Sequence, residues 1–478
     1  MSLDFVLWIA MAVYGAAMFL LSPLATTPGE FFAAEDARGR DLRFGFLVGT
    51  VVISWLFAKS ITNAANLGAR FGMVGPVAYA GWYLTIPVVG AVVYHLRVAF
   101  GATSLAEFVT AKYGRPAALG FMIAISVRLF NEIWSNTAVV AAYFGAEGTW
   151  SYVAAAAAFA SLTLAYSLRG GLRSSVFTDV FQCGMAMLLL VFALGLVVPD
   201  AGFGASVSSG EWRLSGGLDL LLVGLLQSLS YGFHDPVLTD RAFLTDPRET
   251  LRGYLLAGLL AGGFIVLFGL IGVHARVTGL TVGQDAPIRV AETFGVAVLA
   301  GMSVMMMLSA GSTLDSTLSS LSKAVVSDLG GVETDGSRRS DAPLRAVARL
   351  IEGRSPVRVG RIAMVVTAVA GFAPLLAGAE ILQATTISGT MVLGLAPVFL
   401  LASVERAGPG AFHGAFWPGI ALGVAHVGGW LPPWLAVGGG EYADLLGVNL
   451  AGTVLVFAGF ALGTAVDASL QTDGRSDL

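Results

Sequence analysis

Thirteen apolar runs, each long enough to cross a lipid bilayer, leave this chain few ways to fold. They lie at about 3–22, 43–71, 74–97, 116–146, 149–168, 173–198, 217–243, 252–275, 295–327, 359–378, 381–403, 411–430 and 444–467. A span needs roughly 20 residues, and in lipid its backbone polar groups must be satisfied within the segment, so these runs predict helices. The 478 residues are 56% hydrophobic and 12% charged, where a soluble domain carries about a quarter charged residues. The expected class is an all-α polytopic membrane protein. A single cysteine, Cys183, leaves no partner for a disulfide and no thiolate cluster for a metal. The first run has neither a basic start nor a small-residue cleavage site, so it reads as a retained helix.

Positive charge orients the spans. Of 27 Lys and Arg, 21 fall on one common side if every run crosses, eight of them between Lys323 and Arg361. The other side keeps Arg70, Arg213, Arg276 and Arg289, while Lys59 and Arg128 lie inside runs. The positive-inside rule then places the N-terminus outside and the C-terminus in the cytoplasm of a cell-membrane protein. The polar, Arg-rich stretch 330–355 reads as a cytoplasmic linker.

Three runs are interrupted. The second carries Ala58-Lys59-Ser60-Ile61-Thr62-Asn63 at its middle, the seventh SLSYGFHDP at 228–236, and the eleventh QATTISGT at 383–390. Gly232 and Pro236 weaken and break a helix. Counting the second run as the first core helix makes the seventh the sixth. That odd offset sends the two broken helices through the membrane in opposite directions. Broken helices at matching positions of two inverted halves point to a transporter site at the midplane.

The ninth run ends in SAGSTLDSTLSSLSKAVVSDL, 309–329. Ser309, Ser312, Thr313, Ser316 and Ser320 recur at helical steps and share one face. Such hydroxyls either bond their own helix and a close neighbour or form a hard-cation site. Asp315 favours the cation site, because a carboxylate at membrane depth is costly and marks a site or an ion path.

Five stretches resemble the solute–sodium symporters: TTPGEFFAAEDARGRDL (26–42), SLAEFVTAKYG (104–114), GGLRSSVFTDVFQ (170–182), DPVLTDRAFLTDPRE (235–249) and the 309–329 helix. They run in the family's order over nearly the whole chain. The resemblance implies the ten-helix inverted-repeat core of the sodium-coupled leucine transporter. Residues 1–42 would then be an extra N-terminal helix and loop, 43–200 the first repeat and 201–404 the second. Residues 405–478 would hold two further helices and a tail. The resemblance also implies a sodium site made by the carbonyls of Ala58, Ile61 and Ser309 and the hydroxyls of Ser312 and Thr313. Asp179 and Asp315 would mark a second cation position or ion path.

Lys59 departs from the small residue usual in the family. It is expected to pair with Asp315, the alternatives being that it replaces sodium or holds an anionic solute group. Arg128 and Glu132, four apart, read as neutralising each other, and His234 as structural. Solute-binding candidates are Lys59, Thr62, Asn63, Asn66, Asn131, Ser135, Ser230, Tyr231, Gln383 and Thr386, a lining polar and otherwise uncharged. The stretch GARFGMVGPVAYAGW at 68–82 is more similar to the urea-transporting branch than to the proline or sugar branches.

The resulting expectation is a secondary transporter coupling sodium entry to uptake of a small polar solute, with no organic cofactor. Its partners would be sodium, the solute and membrane lipid, not nucleic acid, and a single chain would function alone. The alternative is a sodium-independent or proton-coupled carrier with Lys59 in place of the cation; a membrane sensor ranks below both. No nucleophile with its base, phosphate loop or metal cluster points to an enzyme.

Overall fold

The computed structural model describes residues 3–35, 42–338, 342–373, 386 and 388–476. These form helices almost throughout. The first part of the chain comprises α1 (Leu3–Leu21), α2 (Pro28–Ala33), α3 (Phe44–Trp55), α4 (Ala58–Phe71), α5 (Val74–Ala80), α6 (Thr85–Phe100), α7 (Leu105–Ala141), α8 (Trp150–Ala201) and α9 (Phe203–Val207). Then follow α10 (Leu218–Ser228), α11 (Pro236–Thr239), α12 (Pro247–Thr278), α13 (Ala286–Thr293), α14 (Val296–Lys323), α15 (Arg345–Ile351) and α16 (Pro356–Ala370). Among the described residues α17 (Leu395–Leu400), α18 (Pro409–Val427) and α19 (Ala443–Ser476) complete the chain.

Seven described helices are long and apolar enough to cross a membrane, and the bent pair α3–α4 adds an eighth. The protein is membrane-embedded. Its long α8 runs through two of the expected spans by turning at Gly171, whose φ of 54° and ψ of −135° are strained for any residue with a Cβ. A Cβ there would also lie 2.4 Å from the Phe31 carbonyl oxygen, so α2 packs into this turn.

Both expected breaks exist, the first of them displaced. Helix α3 stops at Trp55 and α4 resumes at Ala58 with a bend of 58°. The interruption is therefore Leu56–Phe57, and the polar stretch 58–63 is helical. No Gly or Pro causes it. Instead the freed carbonyls are satisfied from outside: the Tyr83 hydroxyl donates to Trp55 O at 2.8 Å and the Ser309 hydroxyl donates to Leu56 O. A hydroxyl from another helix thus replaces the backbone donor, as membrane depth requires. The second break, after Ser228, passes through a 3-10 turn at Tyr231–His234 into α11. Asp235 caps α11 by accepting from Val237 N at 3.1 Å, with Pro236 at the first helical position.

Helix α14 lies at the centre, packed against α8, α7 and α3 and touching α4. Helix α4 is held from the other side by α12. At their crossing a Cβ on Gly272 would fall 1.6 Å from the Ala65 carbonyl, so only glycine permits the approach.

Candidate cation and solute site

Two buried polar clusters and one small cavity surround the first break. The hydroxyl face of α14 is buried along its length: Ser309, Ser312, Thr313, Asp315, Ser316 and Ser320 are all at most 1% exposed. Ser312 and Thr50 both donate to the Asp179 carboxylate. Arg241 reaches the same carboxylate at 2.9 Å and also donates to Ser316 Oγ at 2.6 Å, Ser175 Oγ at 3.1 Å and Thr50 Oγ1 at 2.7 Å. Asp315 accepts from Thr178 and from Ser316, each at 3.2 Å. Arg241 thus pairs with Asp179 and reaches Asp315 through the shared Ser316 hydroxyl.

The second cluster is balanced. Lys59 Nζ lies 2.5 Å from Glu132 Oε1 and 3.3 Å from Ser135 Oγ. Arg128 pairs with the same Glu132 and, at 2.8 Å, with Asp235. Asn136 donates to the other Glu132 oxygen at 2.7 Å. Two cations meet two anions, every side chain at most 1% exposed. The expected Lys59–Asp315 pair is therefore corrected: Lys59, in the first turn of α4, meets Glu132 of α7, while Asp315 faces α8. The Arg128–Glu132 pair does form, as two members of this four-charge group.

Arg241 is also corrected. Counted on sequence only among the 21 positive charges of one side, it is fully buried, because the short α11 carries it back against α8 and α14. Thr50, Ser175, Thr178 and Asp235 complete the two clusters and were not singled out either.

The cavity, about 20 Å³, is bounded by Trp55, Phe57, Lys59, Ser60, Tyr79, Trp82, Tyr83 and Tyr231. Its lining is mainly aromatic, from the break and from α5 with its 3-10 extension. Lys59 and Tyr231 are the predicted residues that it brings together. Asn63 stands behind it, donating to Tyr79 OH at 3.4 Å, while Thr62 bonds back to Ala58 O at 3.1 Å. Ser135 and Ser230 likewise bond their own chains, to Asn131 O at 2.7 Å and Gln227 O at 3.2 Å. Thr386 O accepts from Gln227, whose side-chain oxygen accepts from the Trp82 indole at 2.9 Å. Asn66 is elsewhere: it donates to Gln284 O at 2.9 Å and accepts from Ala286 N at 3.0 Å, anchoring the loop before α13. Gln383 lies outside the described residues.

Of the five oxygens implied for sodium, Ser309 O accepts from Thr313 Oγ1 at 3.2 Å, Ser312 Oγ turns to Asp179, and Ala58 O accepts from Thr62. Ile61 lies inside α4, one turn beyond the break. The direct link between break and α14 is the Ser309 hydroxyl.

No family model matches the chain. It is 24% identical over 327 residues to the urea-proton symporter DUR3 of Oryza sativa subsp. japonica, covering 58% of this chain and 43% of that protein. It is 22% identical over 260 residues to a urea active transporter of Saccharomyces cerevisiae, covering 48% and 35%. The chain thus matches less than half the length of either relative. Among solved structures it resembles a Na+-coupled sialic acid symporter in a substrate-bound outward-open state, with a TM-score of 0.70, 16% identity and 97% and 98% of the two chains covered. Mhp1, a nucleobase-cation-symport-1 family transporter, superposes with a TM-score of 0.58 at 14% identity, covering 93% and 95%. MhsT in complex with L-phenylalanine gives 0.54 at 14%, covering 88% and 99%. This is the leucine-transporter-type fold. The two relatives are named as urea transporters, in keeping with the motif resemblance.

Proposed function

We propose that this protein is a secondary active transporter coupling downhill entry of a monovalent cation to uptake of a small, polar, uncharged solute. The observation that carries the reading is the pair of carboxylates, Asp179 and Asp315, set against the single Arg241 on a hydroxyl-lined face. An uncompensated buried carboxylate costs several kcal/mol. A cation bound beside Ser312, Thr313 and Ser316 would remove that cost. It would also tie α14 to α8, the helix that carries Asp179. Solute and cation that favour the same state bind cooperatively, which is the thermodynamic content of symport. The relatives' names make urea the first solute to test, and the Lys/Arg distribution supports an outside N-terminus.

Sodium is the first candidate for the cation, on the resemblance and the hydroxyl donors. A proton is the second reading. It is favoured by the Ser309 hydroxyl, which already joins the break to α14 where sodium would do so, and by the proton coupling in one relative's name. Lys59 is not the substitute in either reading, because Glu132 already neutralises it. The test is uptake of labelled urea into proteoliposomes under a sodium gradient, a pH gradient, or neither. Concentrative uptake under one gradient alone identifies the ion. Equal uptake under all three conditions would overturn cation coupling.

A further inference from the structure

Lys59 belongs to the cavity wall. Its ammonium and the Arg128 guanidinium each lie 5.3 Å from the centroid of the Phe57 ring, another wall residue, and Arg128 lies 5.0 Å from the Tyr231 ring. Two cations and two carboxylates therefore stand directly behind the aromatic wall, and their charges cancel. A charged solute entering this space would lose its hydration and meet no net counter-charge, whereas an uncharged one loses far less. The walls also limit size and shape. The cavity, about 20 Å³, has room for about one water as it stands, so a solute enters only as the walls part. Its rings are tethered, Tyr83 to Trp55 O and Trp82 to Gln227, each within 2.9 Å. Flat rings favour a flat solute.

We propose that the balanced cluster Lys59–Glu132–Arg128–Asp235 sets the charge selectivity of this cavity. It admits small planar uncharged solutes, rejects their charged isosteres, and becomes a site for a small planar cation when one basic member is removed. The inference rests on reading the cavity as the solute site, and deepens that reading by naming the residues that choose the solute's charge. It assigns Lys59 and Arg128 no contact with a solute charge. Their part is to cancel Glu132 and Asp235, so the consequence of losing one is a change of preference and not only a loss of affinity.

The test uses the full chain in lipid nanodiscs and equilibrium binding of labelled guanidinium, the cationic isostere of urea, and labelled formate, a planar anion. Lys59→Met should bind guanidinium at least about tenfold more tightly than wild type does, since one carboxylate is left uncompensated. The double variant Lys59→Met with Glu132→Gln, balanced again, should return to wild-type rejection. Asp235→Asn leaves the opposite excess and should gain formate instead. Guanidinium binding unchanged in Lys59→Met, or raised equally in the balanced double variant, would overturn the proposal. Should Lys59→Met fail to fold, unchanged formate binding in Asp235→Asn would overturn it as well. Binding is read without any gradient. Absence of gradient-driven urea uptake would therefore remove the transport reading while leaving this test intact.

Discussion

The two buried clusters differ in one respect that matters. Around Glu132, two cations meet two anions; around Asp179, one guanidinium pairs with Asp179, while Asp315 stands beside them bonded to the Thr178 and Ser316 hydroxyls. The first arrangement is complete without any ion, and its worth lies in joining α4 and α7 to the break before α11. The second is one charge short. On the proposed reading, charge balance separates a cluster beside the solute cavity from a cluster that a coupling cation would complete.

The sharpest way to break this comparison is to remove the cation from the incomplete cluster. Arg241→Met strands Asp179 beside Asp315, and the expected loss is toward the upper end of about 3–5 kcal/mol for a broken buried pair. Yield of folded protein and thermal stability in detergent would measure it. Adding Asp179→Asn should recover part of that loss. In the balanced cluster, Glu132→Gln strands Lys59, while Arg128 keeps Asp235, at a cost of about 3–5 kcal/mol. Combining it with Lys59→Met should be milder than the sum of the two single changes. Additive losses in that double-mutant cycle would show that the pair does not interact.

Smaller changes sharpen the comparison at single hydroxyls. Ser312→Ala and Thr313→Ala should raise the cation concentration for half-maximal uptake several-fold, about 1–1.5 kcal/mol per lost bond, with less effect on solute affinity at saturating cation. Ser319→Ala, whose buried hydroxyl has no partner among the described residues, should change little. Ser312→Ala with unaltered cation dependence would detach the α14 stripe from the coupling ion. Smallest of all, Asn66→Leu should loosen the 280–286 loop by about 1 kcal/mol. Faster hydrogen exchange of that loop, with cation affinity unchanged, is the expected result.

Much of the fold was legible in the sequence because lipid enforces it: apolar runs become helices, and breaks recur at matching positions. The stripe at 309–320 was legible too, since helical spacing alone puts Ser309, Ser312 and Ser316 on one face. What sequence spacing does not carry is the partner of a buried charge. Glu132 looked spent on Arg128 four residues before it, yet its carboxylate also takes Lys59, 73 positions earlier in the chain. Arg241 follows a Pro-broken helix and counted only as one of the charges of one side, and nothing in its spacing shows that α11 brings it inside. The break itself fell two residues early because Tyr83 and Ser309, both remote in sequence, supply its hydrogen bonds. Trp55 gave no signal, since an aromatic residue in an apolar run is ordinary, and Tyr79 and Trp82 stood out only as part of the 68–82 stretch, not as cavity walls.

The central claim, that the excess carboxylate of the Asp179–Asp315 cluster is where the coupling cation acts, is tested most directly by Asp315→Asn. The amide keeps an acceptor oxygen for one of Thr178 and Ser316, can donate its N–H to the hydroxyl oxygen of the other, and removes the charge, so the variant should fold with a small change in stability. Uptake of labelled urea in proteoliposomes, under whichever cation gradient drives the wild type, is the measurement. The account predicts that Asp315→Asn lets the solute equilibrate but no longer concentrates it. Concentrative uptake equal to wild type in a folded Asp315→Asn protein would contradict it.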